Sequence, residues 1–83
     1  MIKTSHLYYH PHLAHTVQVT EQQANWVEFY DVAHAEPELR WLERSVFDSA
    51  YTHKNSGDPV TLDLKHLRQL AGQKGLLVPR EFA

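Results

Sequence analysis

The chain contains no cysteine, which excludes several kinds of chemistry at once. A protein without thiols has no disulfide bonds, no thiolate metal ligands and no cysteine nucleophile. Only three of the 83 residues are glycine, and no glycine-rich phosphate loop, nucleophile elbow or HExxH zinc motif occurs. An acid–base set of Asp31, His34 and Glu36 can be drawn, but it lacks a spacing that catalysis demands. The sequence therefore predicts a protein that is not an enzyme.

Long apolar runs are also missing. No segment approaches the roughly 18–20 apolar residues of a membrane span, and Met1–Thr4 lead into His and Tyr instead of an apolar signal core. A cytoplasmic protein without membrane contact is therefore expected. A hydrophobic fraction of 42%, with two Trp, four Tyr and three Phe, is enough for the core of one small domain.

Basic residues are absent from one stretch of the chain. Residues 21–38 carry five acids and no Lys or Arg, although the formal net charge is only −2. This polarity predicts an acidic surface, including Glu28, Asp31 and Glu38, that would meet a basic partner. Seven histidines add a second feature, since their full protonation would take the net charge from −2 to +5.

The stretch from Thr20 to Tyr51 has the clearest helical periodicity. Thr20 and Gln23 are spaced as a capping box, and Trp26, Phe29, Tyr30 and Ala33 share one arc of a helix. Proline disfavours helical angles in the residue before it but is tolerated at the first helical position. The sequence therefore predicts two amphipathic helices over 20–51, broken at Pro37.

Trp41 does not fit the second of these helices. Its apolar stripe contains Leu39, Leu42, Val46 and Ala50, whereas Trp41 lies roughly 200° from Leu39 on a helix. Two interpretations remain open. A third element covers Trp41 within the domain, or Trp41 is an anchor for a protein partner, because Trp is enriched at binding hot spots.

Residues 5–20 favour a β-hairpin. Tyr8 and Tyr9 are strong strand formers, and the segment from His15 to Thr20 alternates so that Val17 and Val19 face the core. A lone hairpin is only marginally stable, so helices or a second copy must cover it. An aromatic strand with an open edge predicts homodimerisation across a two-fold axis.

The C-terminal part shows turn signals and one further helical pattern. Residues 52–60 are dense in turn formers and predict a loop. A third short helix is expected over 61–75, ending at Gly75 followed by Leu76, although residues 60–64 would also suit a strand. In the tail, 76–83, the first four residues can pack on the core or add to a sheet edge, and 80–83 are expected to fray. The predicted fold class is α+β: an N-terminal hairpin, two amphipathic helices, a loop and a third helix.

Four histidines near the N-terminus form a possible metal site. His6, His10 and His12 share one face of an extended segment, and together with His15 they could surround Zn²⁺ or Ni²⁺. Residues 1–20 contain no Asp, Glu or Cys to complete or orient such a site. A histidine-rich metal-binding protein is therefore a secondary alternative, and no cofactor is expected in the main interpretation.

Nucleic-acid binding is the other alternative, and it depends on basic residues around the third helix. These residues are Lys65, Arg68, Lys74 and Arg80. A helix-turn-helix requires a turn of about three or four residues, whereas the loop before this helix is roughly twice as long. The negative net charge also argues against a broad phosphate-binding footprint.

The function predicted from the sequence is that of a small non-catalytic protein-interaction module, such as an adaptor, inhibitor or regulator. Such a chain would fit a product of a phage or another mobile element that acts by blocking a host protein. Its partner would be another protein or a second copy of itself. The residues expected at the interface are Trp41, Tyr8, Tyr9, Glu28, Asp31 and Glu38.

Overall fold

The computed structural model describes residues 1–83 and contains five strands, two α-helices and one 3-10 turn. The elements are β1 (Leu7–His10), β2 (His15–Gln22), β3 (Trp26–Asp31), β4 (Leu39–Glu43), α1 (Arg44–Ala50), β5 (Thr52–Asn55), α2 (Leu64–Gln73) and the 3-10 turn (Arg80–Phe82). Neither helix is long and apolar enough to span a membrane.

The strands form one antiparallel sheet in the order β4-β3-β2-β1-β5. Four strands follow one another as a meander, and β5 then returns to pair with β1. A register shift after Val19 interrupts the pairing of β2 with β3, and such bulges bend and twist a sheet locally. The two edges of the sheet are therefore β4 and β5.

One face of the sheet packs against α1, and we call it the α1 face. Val17, Val19 and Val27 are fully buried there because alternate residues of a strand point to the same side. Phe47 of α1 is the centre of this core: its ring centroid lies 5.3 Å from Tyr8 and 4.5 Å from Tyr51.

The opposite face is covered by α2 and by the chain end, and we call it the α2 face. Pro79 and Phe82 are buried against this part of the molecule, and the ring of Phe82 lies 6.4 Å from that of Trp41. The prediction that residues 80–83 fray is therefore wrong, because Phe82 is an apolar anchor.

The third helix predicted over 61–75 is present, in a shorter form, as α2. Asp63 caps its start by accepting a hydrogen bond from the backbone N–H of His66. At the end, Gly75 has a φ of +86°, and the N–H of Leu76 donates to the carbonyl of Ala71. This is the glycine-terminated C-cap that the sequence indicates. Residues 60–63 belong to neither a strand nor a helix.

The α+β class and the β1–β2 hairpin are confirmed, but the two helices predicted over 20–51 are wrong. Residues 20–22, 26–31 and 39–43 lie in strands, and only Arg44–Ala50 is helical. The hydroxyl of Thr20 does not cap a helix. It donates to the carboxylate of Glu28 on the neighbouring strand.

The loop predicted over 52–60 is also partly wrong, since Thr52–Asn55 form β5. The loop begins after Asn55 and runs close to the N-terminal segment. A β-carbon on Gly57 would lie 2.5 Å from the carbonyl oxygen of Ser5, so only glycine permits this approach. Because β5 covers β1, the aromatic strand is not an open edge, and the predicted self-association along it has no basis.

Candidate functional site

The α2 face is organised around one buried carboxylate, that of Glu28, which is 0% exposed. Arg68 of α2 donates to it twice, from Nε to Oε2 and from Nη2 to Oε1, both at 2.8 Å. Thr20 Oγ1 donates to Oε1 at 2.7 Å, and Trp41 Nε1 donates to Oε2 at 2.9 Å. A buried charge is tolerated when it is paired and fully hydrogen-bonded, and Glu28 meets both conditions.

Arg68 is held in place from three sides. Besides Glu28, it contacts the carboxylate of Glu21 at 3.2 Å, and its guanidinium lies 5.3 Å from the ring centroid of Phe82. The hydrogen bonds with Glu28 raise the pKa of Arg68 above its ordinary value, against the opposing effect of burial. Arg68 is therefore a structural cation whose Nε and Nη2 groups are bound within the domain.

Three residues predicted to bind partners are thus paired with other side chains of the same domain. Glu28 and Trp41, expected at a protein interface, are joined to each other, and Arg68, expected at nucleic acid, is bound to both Glu28 and Glu21. The structure favours the first interpretation of Trp41, in which another part of the domain covers it. Tyr8 is also buried, where its hydroxyl accepts a hydrogen bond from the N–H of Lys3.

The remaining predicted residues lie at the surface but do not form one site. Glu38 pairs with Arg40 at 3.1 Å and with Lys74 at 3.9 Å. The hydrogen bond from Arg40, followed by the charge of Lys74, lowers the pKa of Glu38. Tyr9 is 38% exposed. Lys65 and Arg80 are exposed and form no ion pair.

A series of close polar contacts on the α1 face joins an acid, a histidine and a hydroxyl. Asp31 Oδ2 is 3.3 Å from His15 Nδ1, and His15 Nε2 is 2.8 Å from the hydroxyl of Tyr51. Burial, and secondarily the charge of Asp31, raises the pKa of Tyr51. A nucleophile is activated by an adjacent base, a lowered pKa or a metal, and it must also be reached by the substrate. The pKa of Tyr51 is raised, and the residue is only 8% exposed. The contacts of His15 with Asp31 and Tyr51 are therefore suited to stabilising the sheet and not to attack on a substrate.

The concave regions of the surface do not change this conclusion. The cleft beside His15 measures about 170 Å³, below the range of about 300–1,000 Å³ typical of small-molecule sites. Three wider and more open depressions measure about 610, 520 and 310 Å³. None of them is lined by a histidine, so none holds an acid–histidine pair.

The four N-terminal histidines do not come together as one metal site. No group of three or more His, Asp or Glu side chains has the arrangement that would hold a metal ion. His10 lies near both His12 and His15. Its ring centroid is 6.0 Å from that of His12 and 5.8 Å from that of His15. His6 instead faces His53 of β5, with 2.9 Å between its Nδ1 and the Nε2 of His53.

An exposed edge of the sheet is formed by the outer side of Thr52–Asn55, which we call the β5 edge. All four residues of β5 are exposed, and β5 pairs only with β1. The other edge strand, β4, has buried or half-buried residues at three of its five positions and adjoins both helices. The sequence prediction missed the β5 edge because Lys54 and Asn55 favour turns, and only Thr52 and the preceding Tyr51 indicated a strand.

Comparisons with models of protein families, with curated proteins and with solved structures found no match for this chain. The function must therefore be argued from the geometry of its own surface.

Proposed function

We propose that the protein is a non-catalytic protein-binding module that accepts an extended, acidic segment of a partner along the β5 edge. The observation that carries this proposal is that β5 is outermost in the sheet, exposed at all four positions, and charged only by Lys54 and, when protonated, His53.

The backbone supplies the affinity in such a complex. An edge strand presents a row of N–H and C=O groups that no neighbouring strand has paired. An extended peptide that lies beside it gains a ladder of main-chain hydrogen bonds, while alternate side chains determine which peptides fit. β5 is short, with four residues, so we expect modest affinity that depends on side-chain complementarity.

The charges determine the kind of partner. No Asp or Glu occurs from Thr52 to Gly57, while Lys54 and His53 are exposed. Opposite charges across a strand pair contribute about 0.2–1 kcal/mol, and like charges oppose pairing. A second copy of β5 placed antiparallel would bring Lys54 close to its own counterpart. The β5 edge therefore favours a different, acidic segment over self-association.

Two observations favour this proposal over catalysis and over nucleic-acid binding. The one hydroxyl that is hydrogen-bonded to a histidine, on Tyr51, is buried and has a raised pKa. Nucleic-acid binding through α2 is not favoured either, because its central cation, Arg68, is bound to Glu28.

Selection from a library of displayed eight-residue peptides tests this proposal. Wild-type protein is expected to enrich segments of alternating residues that contain Glu or Asp, and Lys54→Glu protein is expected to enrich segments with Lys or Arg instead. Reversing one cross-strand charge changes the preference by about 1 kcal/mol, or roughly fivefold in affinity. The selected peptides should shift the NMR signals of the Thr52–Asn55 amides, and raised salt should weaken their binding.

Lys65→Glu is the matched control, because Lys65 is an exposed lysine on α2 with no ion pair. It is expected to select the same peptides as the wild type. Enrichment that ignores the charge at position 54, or NMR shifts confined to other strands, would contradict the proposal.

A further inference from the structure

We propose that His6 and His53 form a two-histidine chelate for a divalent first-row transition cation such as Zn²⁺. The two residues are 47 positions apart in the sequence, one just before β1 and the other in β5. The fold brings His6 Nδ1 within 2.9 Å of His53 Nε2. Imidazole nitrogen is a common ligand of zinc, copper and nickel.

The position of these two ring nitrogens, which face each other and have no third partner, distinguishes the pair from the other histidines. Apart from the contact with each other, neither the His6 ring nor the His53 ring forms a hydrogen bond. By contrast, His10 Nδ1 accepts a hydrogen bond from the N–H of Leu13, and both nitrogens of His15 are engaged, by Asp31 and Tyr51. The pair is therefore the place where two ring nitrogens, hydrogen-bonded only to each other, already face each other.

The geometry requires only a small adjustment. Zinc binds imidazole nitrogen at about 2.0–2.1 Å, and tetrahedral ligation then separates two such nitrogens by about 3.3–3.4 Å. The rings must move apart by about half an ångström and tilt toward a common point. His53 is exposed and His6 half-buried, so both can turn, and the ring of Tyr8 packs edge-on at 5.3 Å from that of His53.

Two protein ligands leave the remaining positions of the cation open to water or to a group from outside the chain. Such a site resembles the open arrangement of reactive zinc more than the closed, four-ligand structural sites. A bound cation would tie the segment before β1 to the last strand of the sheet and would stabilise the folded state by mass action. This inference does not depend on peptide binding at the β5 edge.

Calorimetric titration of Zn²⁺ into chelator-treated protein at pH 7.5 tests the site. One cation per chain is expected, with weaker binding at lower pH, because protons compete with the cation for the imidazole nitrogens. His6→Ala and His53→Ala are each expected to weaken binding about tenfold or more, since loss of a group behind a metal ligand already costs that much. Cu²⁺ should broaden the NMR signals of residues 6 and 53 before those of other histidines.

His12→Ala is the matched control, because His12 is an exposed member of the N-terminal histidine set. It should bind Zn²⁺ as the wild type does. Absence of heat with the wild type would overturn the inference, and so would weakening by His12→Ala without weakening by His53→Ala, which would place the cation among His10, His12 and His15. Circular dichroism of each variant checks that its fold is retained.

Discussion

At the scale of single residues, the least expected feature is Glu28. In the sequence it is one of five acids in a segment without basic residues, and such acids normally face water. Its burial depends on Arg68, 40 positions away, and on hydrogen bonds from Thr20 and Trp41. No local sequence pattern indicates that Glu28 pairs with a residue so far along the chain, so the sequence could not identify Glu28 as buried.

The buried ion pair makes the effect of one substitution depend on another. Arg68→Met leaves the carboxylate of Glu28 buried without its cation, which is expected to cost about 3–5 kcal/mol of unfolding free energy. Glu28→Gln should destabilise the wild type but stabilise the Arg68→Met protein, because it removes an unpaired charge while keeping an oxygen that accepts a hydrogen bond. Urea unfolding followed by tryptophan fluorescence measures all four free energies.

The exposed Arg80 provides the control for this cycle. Arg80→Met should change stability by less than about 0.5 kcal/mol, as surface substitutions usually do. If Glu28→Gln destabilised both backgrounds equally, the ionic pairing would have no part in the stability of this face.

The raised pKa of Tyr51 predicts how the stability of the fold changes at alkaline pH. Its pKa is raised in the folded state, chiefly by burial, above the ordinary value of 10.0. The folded state therefore holds the phenolic proton more tightly than the unfolded state does, and this contribution is complete below pH 10 and lost as pH rises through the folded pKa. Tyr30, whose pKa burial also raises, contributes in the same direction.

Tyr51→Phe should cost about 1 kcal/mol at pH 7, because the hydrogen bond with His15 is lost. The difference from wild type should shrink above pH 10, where the wild type loses a stabilising contribution that the variant, without a phenolic proton, does not have. Chemical unfolding at pH 7, 9, 10 and 11 measures this difference in unfolding free energy. A gap that stays constant over this range would show that the Tyr51 hydroxyl titrates alike in both states.

At the scale of elements, the end of α2 contains two glycines with opposite roles. Gly72 lies within the helix, and a β-carbon there would meet nothing within 4 Å, whereas Gly75 has a φ of +86°. Gly72→Ala should raise the unfolding free energy by about 0.5–1 kcal/mol, since alanine is the better helix former.

Gly75→Ala should lower the unfolding free energy by about 1 kcal/mol or more, because a β-carbon is strained in the left-handed conformation. Thermal unfolding of the two variants tests this prediction directly, each serving as the other's control. A fall in stability with both would mean that α2 tolerates no added methyl group.

The misassigned helices show why periodicity alone was insufficient. Trp26, Phe29 and Tyr30 do share an arc of a helix, yet aromatic and β-branched residues also favour strands. Trp41 carried the correcting signal. It falls roughly 200° from Leu39 on a helix, but residues two apart lie on the same face of a strand, and both point to the α2 face in β4. Trp41 therefore breaks the pattern of a helix but fits the two-residue period of a strand.

At the scale of the whole molecule, the two faces of the sheet differ in the side chains at their centres. The α1 face is an aromatic and aliphatic core around Phe47, and the α2 face has the Glu28–Arg68 pair at its centre. The sequence was sufficient for the α+β class, the first hairpin and α2. It was insufficient for the pairing of β5 with β1, because polar strands at a sheet edge have no apolar pattern and their partner is remote in the chain.

That pairing also has a consequence for synthesis. About 40 residues separate the end of β1 from the start of β5, and ribosomes add about 5–20 residues per second. The outer side of β1, including the aromatic Tyr8 and Tyr9, therefore remains unpaired for about 2–8 s after it is made. Until β5 is added, the chain therefore has the open aromatic strand edge that the finished protein conceals.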